Sequence, residues 1–156
     1  MTTLNDRQRI TEWLARADPN PVAVYGAWSE HGVALLPLGR RFDAVRVPAQ
    51  RVHAAVGSND PQIVASSLRD WLEGPVIRDL RSSMGPYYVL ISPNAAAWDG
   101  AEERLSTDTY LGVPRPGQLS LQAHWVVPLA APGDLCDPAY LSALLATSES
   151  LKAAEL

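Results

Sequence analysis

Three side-chain chemistries in this sequence are reactive enough to examine first: one thiol, three imidazoles and a run of arginines around a single carboxylate. The thiol is Cys136. With His124 and either Asp134 or Asp137 it could be drawn as a nucleophilic triad, but a working thiol needs an electropositive setting or an adjacent base to form thiolate. Cys136 is flanked by acids, which raise its proton affinity, although the helix expected to start just after it acts the other way. A small buried residue packing the last helix is therefore expected. No two of His31, His53 and His124 stand at metal-ligand spacing such as HxH or HExxH. His31 follows Glu30 in an expected turn and should be solvated. His53 lies in a helix beside Arg51 and should sit on the surface, and His124 lies in a strand next to Trp125. Neither a catalytic residue, a metal site nor a cofactor is expected, and no Gly-rich phosphate loop is present, since Gly39, Gly57, Gly74, Gly85 and Gly112 stand singly.

The arginines are more suggestive. Arg40 and Arg41 occupy a Gly39-Arg40-Arg41 turn, Arg46 follows on the next strand, and Asp43 lies between them. The plain reading of Asp43 is a sheet-edge ion pair with Arg41 or Arg46. The binding reading makes Arg40, Arg41, Arg46 and Asp43 a contact surface, joined by Arg78 and Arg81, with Tyr87 or Tyr110 to stack on a base. Seven arginines against five acids give the span 36–81 a net charge of +2 and leave about −6 on the rest. The total of −4 does not suit a general nucleic-acid binder.

The elements that must position these residues follow from the spacing of apolar positions. A first helix, capped by Thr3 with Asp6 three residues on, carries Ile10, Trp13, Leu14 and Ala17 on one face and ends at Asp18-Pro19-Asn20-Pro21. Pro21–Trp28 fits a strand or a short helix, and Glu30-His31-Gly32 a turn. Val33–Leu38 and Phe42–Val47 read as a β-hairpin. Helices are expected over Pro48–Val56, stopping at Gly57, and after Asp60-Pro61, the second with Ile63, Val64, Leu68, Trp71 and Leu72 as its apolar face. Strands are expected at Pro75–Arg78, Tyr87–Ile91, Thr109–Val113 and Leu119–Val127. A last helix from Asp137-Pro138 should turn Tyr140, Leu141, Leu144 and Leu145 to the core. The result is one α+β domain over residues 1–147, a mixed or antiparallel sheet with helices packed on it, followed by a frayed tail at 148–156.

The chain is long enough to bury a proper core, and Trp13, Trp28, Trp71, Trp98 and Trp125 are spread along it as core anchors would be. No stretch approaches the roughly 18 consecutive apolar residues that span a bilayer. With no apolar leader and one cysteine, the cytoplasm is the expected compartment.

Three segments together resemble a family. Leu36–Val45 resembles the hairpin that opens the compact prim-pol-like proteins, relatives of the bifunctional DNA primase/polymerase domain. Gly85–Pro93 is similar to their "GGxHxYFxxP" strand, Thr109–Pro114 to their "GYVVAPP" strand, and Gly74-Pro75-Val76 to a short connecting strand, so that the resemblance spans roughly residues 28–128. Active members of that family hold divalent metal with acids on a central strand and bind nucleotide phosphates with a histidine. Here Asp43 and Val45 stand where the acidic pair would be, and Pro86 or Tyr87 where the histidine would be. Two-metal phosphoryl transfer needs paired carboxylates, so the resemblance implies a catalytically eroded member.

Three functions remain open on the sequence. The first is a regulatory or interaction module on a prim-pol-like scaffold that binds a protein partner, with Trp28 and Trp98 as exposed contacts. The second is a nucleotide- or nucleic-acid-binding domain without polymerase activity. The third is an enzyme of unrecognised type.

Overall fold

The helices form where the local signals are strongest. The structure, a computed structural model, describes residues 4–95, 98 and 100–154, so the expected cap at Thr3 lies outside it. Helix α1 (Leu4–Ala15) buries Ile10 and Leu14. The ambiguous segment after it is a helix, α2 (Pro21–His31). The Asn20 side chain accepts the Ala23 N–H, Pro21 stands in the first turn, and Gly32 closes the end at φ +78°, donating its N–H to the Trp28 carbonyl. The Glu30-His31 turn expected from sequence is thus the last turn of this helix. Helix α3 (Ala49–Val56) starts after Pro48 and stops at left-handed Gly57. Helix α4 (Pro61–Leu72) is capped by the Asp60 carboxylate, which accepts from the Gln62 and Ile63 amides. Its buried stripe is Val64, Leu68 and Leu72, whereas Ile63 and Trp71, expected in the core, are exposed. Helix α5 (Pro138–Ala154) buries Leu141, Leu144 and Leu145 and leaves Tyr140 exposed. Its backbone stays helical past Ser148, where the sequence reading starts the tail.

The strands are β1 (Val33–Pro37), β2 (Asp43–Val47), β3 (Val76–Asp79), β4 (Tyr87–Ile91), β5 (Glu103–Leu105), β6 (Tyr110–Pro114) and β7 (Ala123–Val127). They make two antiparallel sheets, a β1–β6 ribbon and a five-stranded sheet in the order β5-β2-β4-β3-β7. Five helices and seven strands among the described residues make an α+β fold.

The expected hairpin of Val33–Leu38 with Phe42–Val47 does not form. β1 pairs with β6 in the register Val33–Pro114 to Pro37–Tyr110, while β2 pairs with β4 and β5. The Gly39 N–H still bonds the Phe42 carbonyl at 3.0 Å, so the link is tight, but the strands leave it for different sheets. Gly39, at φ +93°, lies flush against Thr107, where a Cβ would clash. The strand expected from Leu119 begins only at Ala123, and β5 was not anticipated.

Side chains alternate across a strand, so the two faces of the five-stranded sheet enter two cores. On the front, Ala44, Ile77 and Leu90 join α1, α2 and the ribbon around Trp28, Phe42 and Leu36. On the back, Val45, Val47, Val76, Tyr87, Val89 and Ile91 pack beneath α3, α4 and α5. Trp28, offered by the sequence as an exposed contact, is fully buried, and its indole N–H donates to the Val113 carbonyl at 2.9 Å. Burying so large a side chain contributes on the order of 3 kcal/mol, which ties α2 to the ribbon. Trp98 is half-buried and donates to the Glu102 carbonyl at 2.8 Å.

Candidate functional site

The end of the sheet marked by Val47, Tyr87 and Asp79 presents different chemistry on its two sides. In front, a cleft of about 300 Å³ opens between the ribbon and the sheet, with Leu35, Tyr110, Ile77, Tyr88, Asp79 and Arg81 among its walls. A second hollow of about 580 Å³ runs toward α2 and shares Val33, Leu35, Arg81 and Gln122 with the first. Among the wall residues the charges pair, while Arg46, across from Tyr88, adds a positive charge felt by Tyr88 and Asp79. Arg81 grips Asp79 through Nε (3.1 and 3.2 Å) and Nη2 (2.7 Å). Those bonds hold the Asp79 carboxyl below the usual carboxylate range, and burial pushes the Tyr88 phenol up.

Two of the wall side chains are apolar and exposed, Leu35 at 68% and Tyr110 at 61%. In the segment that leads into β7, Leu119 and Leu121 are 93% and 94% exposed. Leu121 precedes the lining residue Gln122, whose carbonyl accepts the Leu80 N–H at 2.9 Å. Ser120, between the two leucines, sits against Gly32. Folding leaves these side chains in water, although an exposed apolar group gains nothing there.

Behind the sheet, register brings together side chains far apart in sequence. Arg78 pairs across β3–β4 with Tyr87 and across β3–β7 with His124. The Arg78 guanidinium lies 4.8 Å from the centre of the Tyr87 ring. From α3, His53 Nε2 shares a 2.9 Å hydrogen bond with the Tyr87 hydroxyl. Burial, and then the Arg78 charge, lower the pKa of both His53 and His124. Burial raises that of Tyr87, against the Arg78 charge. His53, expected on the surface, is half-buried.

The six residues proposed from sequence divide. Arg40, Arg41 and Arg46 are exposed; Arg41 leans over Trp13 at 5.9 Å, and Arg46 stands across from Tyr88. Tyr110 lies opposite Pro37, beside the arginine turn. Asp43 is not a surface group: it is 1% exposed. Its partners are neither Arg41 nor Arg46 but Arg104, 3.0 Å through Nε and 2.9 Å through Nη2, with Ser106 donating at 2.9 Å. Tyr87 is buried under the back helices and cannot stack on a base. Cys136 is buried as expected. Its thiol faces the Pro75 carbonyl at 3.4 Å, and burial, with Asp134 nearby, pushes it far above its ordinary pKa.

Sequence reasoning missed Arg104 and the grouping of Arg78 with two histidines. The signal present was alternation in Val76–Asp79 and Tyr87–Ile91, which turns Arg78 and Tyr87 away from Asp79 and Tyr88. Among the described residues, no three His, Cys, Asp or Glu side chains converge as metal ligands. The chain matches no family model, no curated protein and no solved structure.

Proposed function

We propose that this chain is a non-catalytic binding module that receives an apolar segment of a partner protein in the front cleft. The observation that carries this function is the pair of exposed apolar side chains Leu35 and Tyr110 in the walls of a cleft whose one ion pair among the described residues, Asp79–Arg81, is internally neutral. Contiguous exposed apolar surface rimmed by polar groups is the usual mark of a protein-binding site. β1 takes β6 as its only strand partner among the described residues, so an extended segment could add to its other edge while placing alternate side chains in the cleft.

The prim-pol-like resemblance supports a second function, nucleotide or nucleic-acid binding across Arg40, Arg41 and Arg46. Each is exposed, and none has a carboxylate within ion-pair distance among the described residues. Polymerase chemistry is no part of it, because Asp43, the one acid the resemblance offers to a metal, is consumed by Arg104 and Ser106.

Peptides selected from a displayed library against the whole chain, measured by titration, separate the two. Leu35→Asp with Tyr110→Ser should weaken the selected peptides at least tenfold, about 1.4 kcal/mol, with little change in thermal melt. Apolar docking should also persist at high salt, where phosphate-driven binding falls steeply. Peptides indifferent to the double variant, together with tight, salt-sensitive oligonucleotide binding, would transfer the assignment to the arginine turn.

A further inference from the structure

The row behind the sheet is electrostatically unfinished. Arg78 donates Nε to the Gly85 carbonyl and Nη2 to the Ser83 carbonyl, both at 3.4 Å, which is long for a charged donor. Its Nη1 has no acceptor and no carboxylate lies within ion-pair distance among the described residues. His124, half-buried in the next strand, has no hydrogen-bond partner among them. His53 completes the row from α3 through Tyr87. A fixed cation beside two imidazoles opposes their protonation, so the three groups disfavour one another's charge as long as no anion is present. Clusters of that kind, kept at the margin of an apolar core, are the usual signature of a binding or reactive site.

We infer that Arg78, His124 and His53 form a binding site for the phosphoryl group of a phosphate monoester, on the opposite side of the sheet from the front cleft. The donor set selects this class. The guanidinium offers a planar fork for two oxygens, and each imidazole can add an N–H donor and a positive charge when it takes up a proton. A dianion draws on all of these, whereas a carboxylate would be satisfied by Arg78 alone. Arg78 and the Tyr87 phenol face His53, and Arg78 faces His124, so phosphate supplies the negative charge the cluster lacks. The site does not depend on what occupies the front cleft.

Imidazole resonances of the full chain, followed by NMR during titration with sodium phosphate at constant ionic strength, test this directly. The His124 and His53 signals should shift saturably and their pKa values should rise. The His31 signals, from an exposed ring beside Glu30, should stay unmoved. Glycerol phosphate should produce the same shifts, and acetate should not. Arg78→Gln should weaken phosphate at least tenfold, and His124→Gln should weaken it as read at His53, with circular dichroism confirming that each variant folds. Shifts that appear equally at His31, that acetate reproduces, that glycerol phosphate fails to produce, or that persist at full affinity in Arg78→Gln, would overturn the assignment.

Discussion

The back face of the five-stranded sheet holds two arginines, one on the edge strand β5 and one on β3, next to the opposite edge, and the two live in opposite circumstances. Arg104, on β5, is bound by Asp43 at 2.9 and 3.0 Å, and its remaining donors reach the carbonyls of Ser92, Pro93 and Ala95 at 3.4 Å. Arg78, on β3, has two long carbonyl contacts, an aromatic face and two imidazoles. The first arginine pins the 92–95 turn and the strand beside it. The second retains unspent donors and a positive field. Identical side chains on one surface thus divide into a structural and a binding role, according to whether a carboxylate lies opposite.

The contrast can be broken most forcefully at Asp43. Asp43→Ala leaves Arg104 charged and largely buried without its counter-ion, a change that costs about 3–5 kcal/mol and should be plain in urea denaturation. Arg78→Gln strands no opposite charge and should cost about 1 kcal/mol, mainly the lost contact with Tyr87. Equal losses would mean that Arg78 is as structural as Arg104.

A smaller effect comes from pH. His53 and His124 have folded pKa values below the 6.5 of the free side chain, so the unfolded chain binds more protons near pH 6. The stability tied to the neutral rings is present above pH 6.5 and is lost as pH falls through that value. The melting temperature should therefore drop between about pH 7.5 and 5.5, and His53→Gln with His124→Gln should flatten the profile. Asp79, whose folded pKa lies below 3.8, acts in a separate acid window, its stabilisation being lost as pH falls below that value. A profile that kept its slope in the double variant would relocate the titration to other groups.

The smallest expected effect sets the baseline. Arg40→Ala with Arg41→Ala removes two exposed cations outside the sheet, and thermal denaturation should change by no more than about 0.5 kcal/mol. A larger loss would show that Arg41 over Trp13 does structural duty of the Arg104 kind.

What could be read from sequence was local. Asp60 before proline, Gly57 after a helical run, and the continuous apolar run of the Tyr87 strand each act within a few residues, and the structure follows them for α3, α4 and β4. The exception among the helices, α2, buries only Val24 and Trp28 yet is apolar on most sides, so periodicity could not separate it from a strand. Pairing was not legible. Two apolar runs joined by Gly39-Arg40-Arg41 look like a hairpin, but β1 gains more from Leu111 and Val113, far along the chain, than from its neighbour. The same non-locality hid the partners of Asp43 at Arg104 and Ser106, and of Arg78 at His124. Arg46 and Tyr110 could be picked as exposed contacts, but the cleft beside Tyr110 depends on the ribbon's docking, which no residue pattern announces.

Cys136 carries one more consequence. Its amide donates to the Leu90 carbonyl at 2.8 Å and its thiol faces Pro75, so the residue just ahead of α5 is stitched to the far end of β4. A thiol held so far from ionisation is silent while that seam is closed and ordinary once it opens. The protein therefore contains a single native chemical clock, and the rate at which a thiol reagent consumes it measures how often the last helix lifts from the sheet.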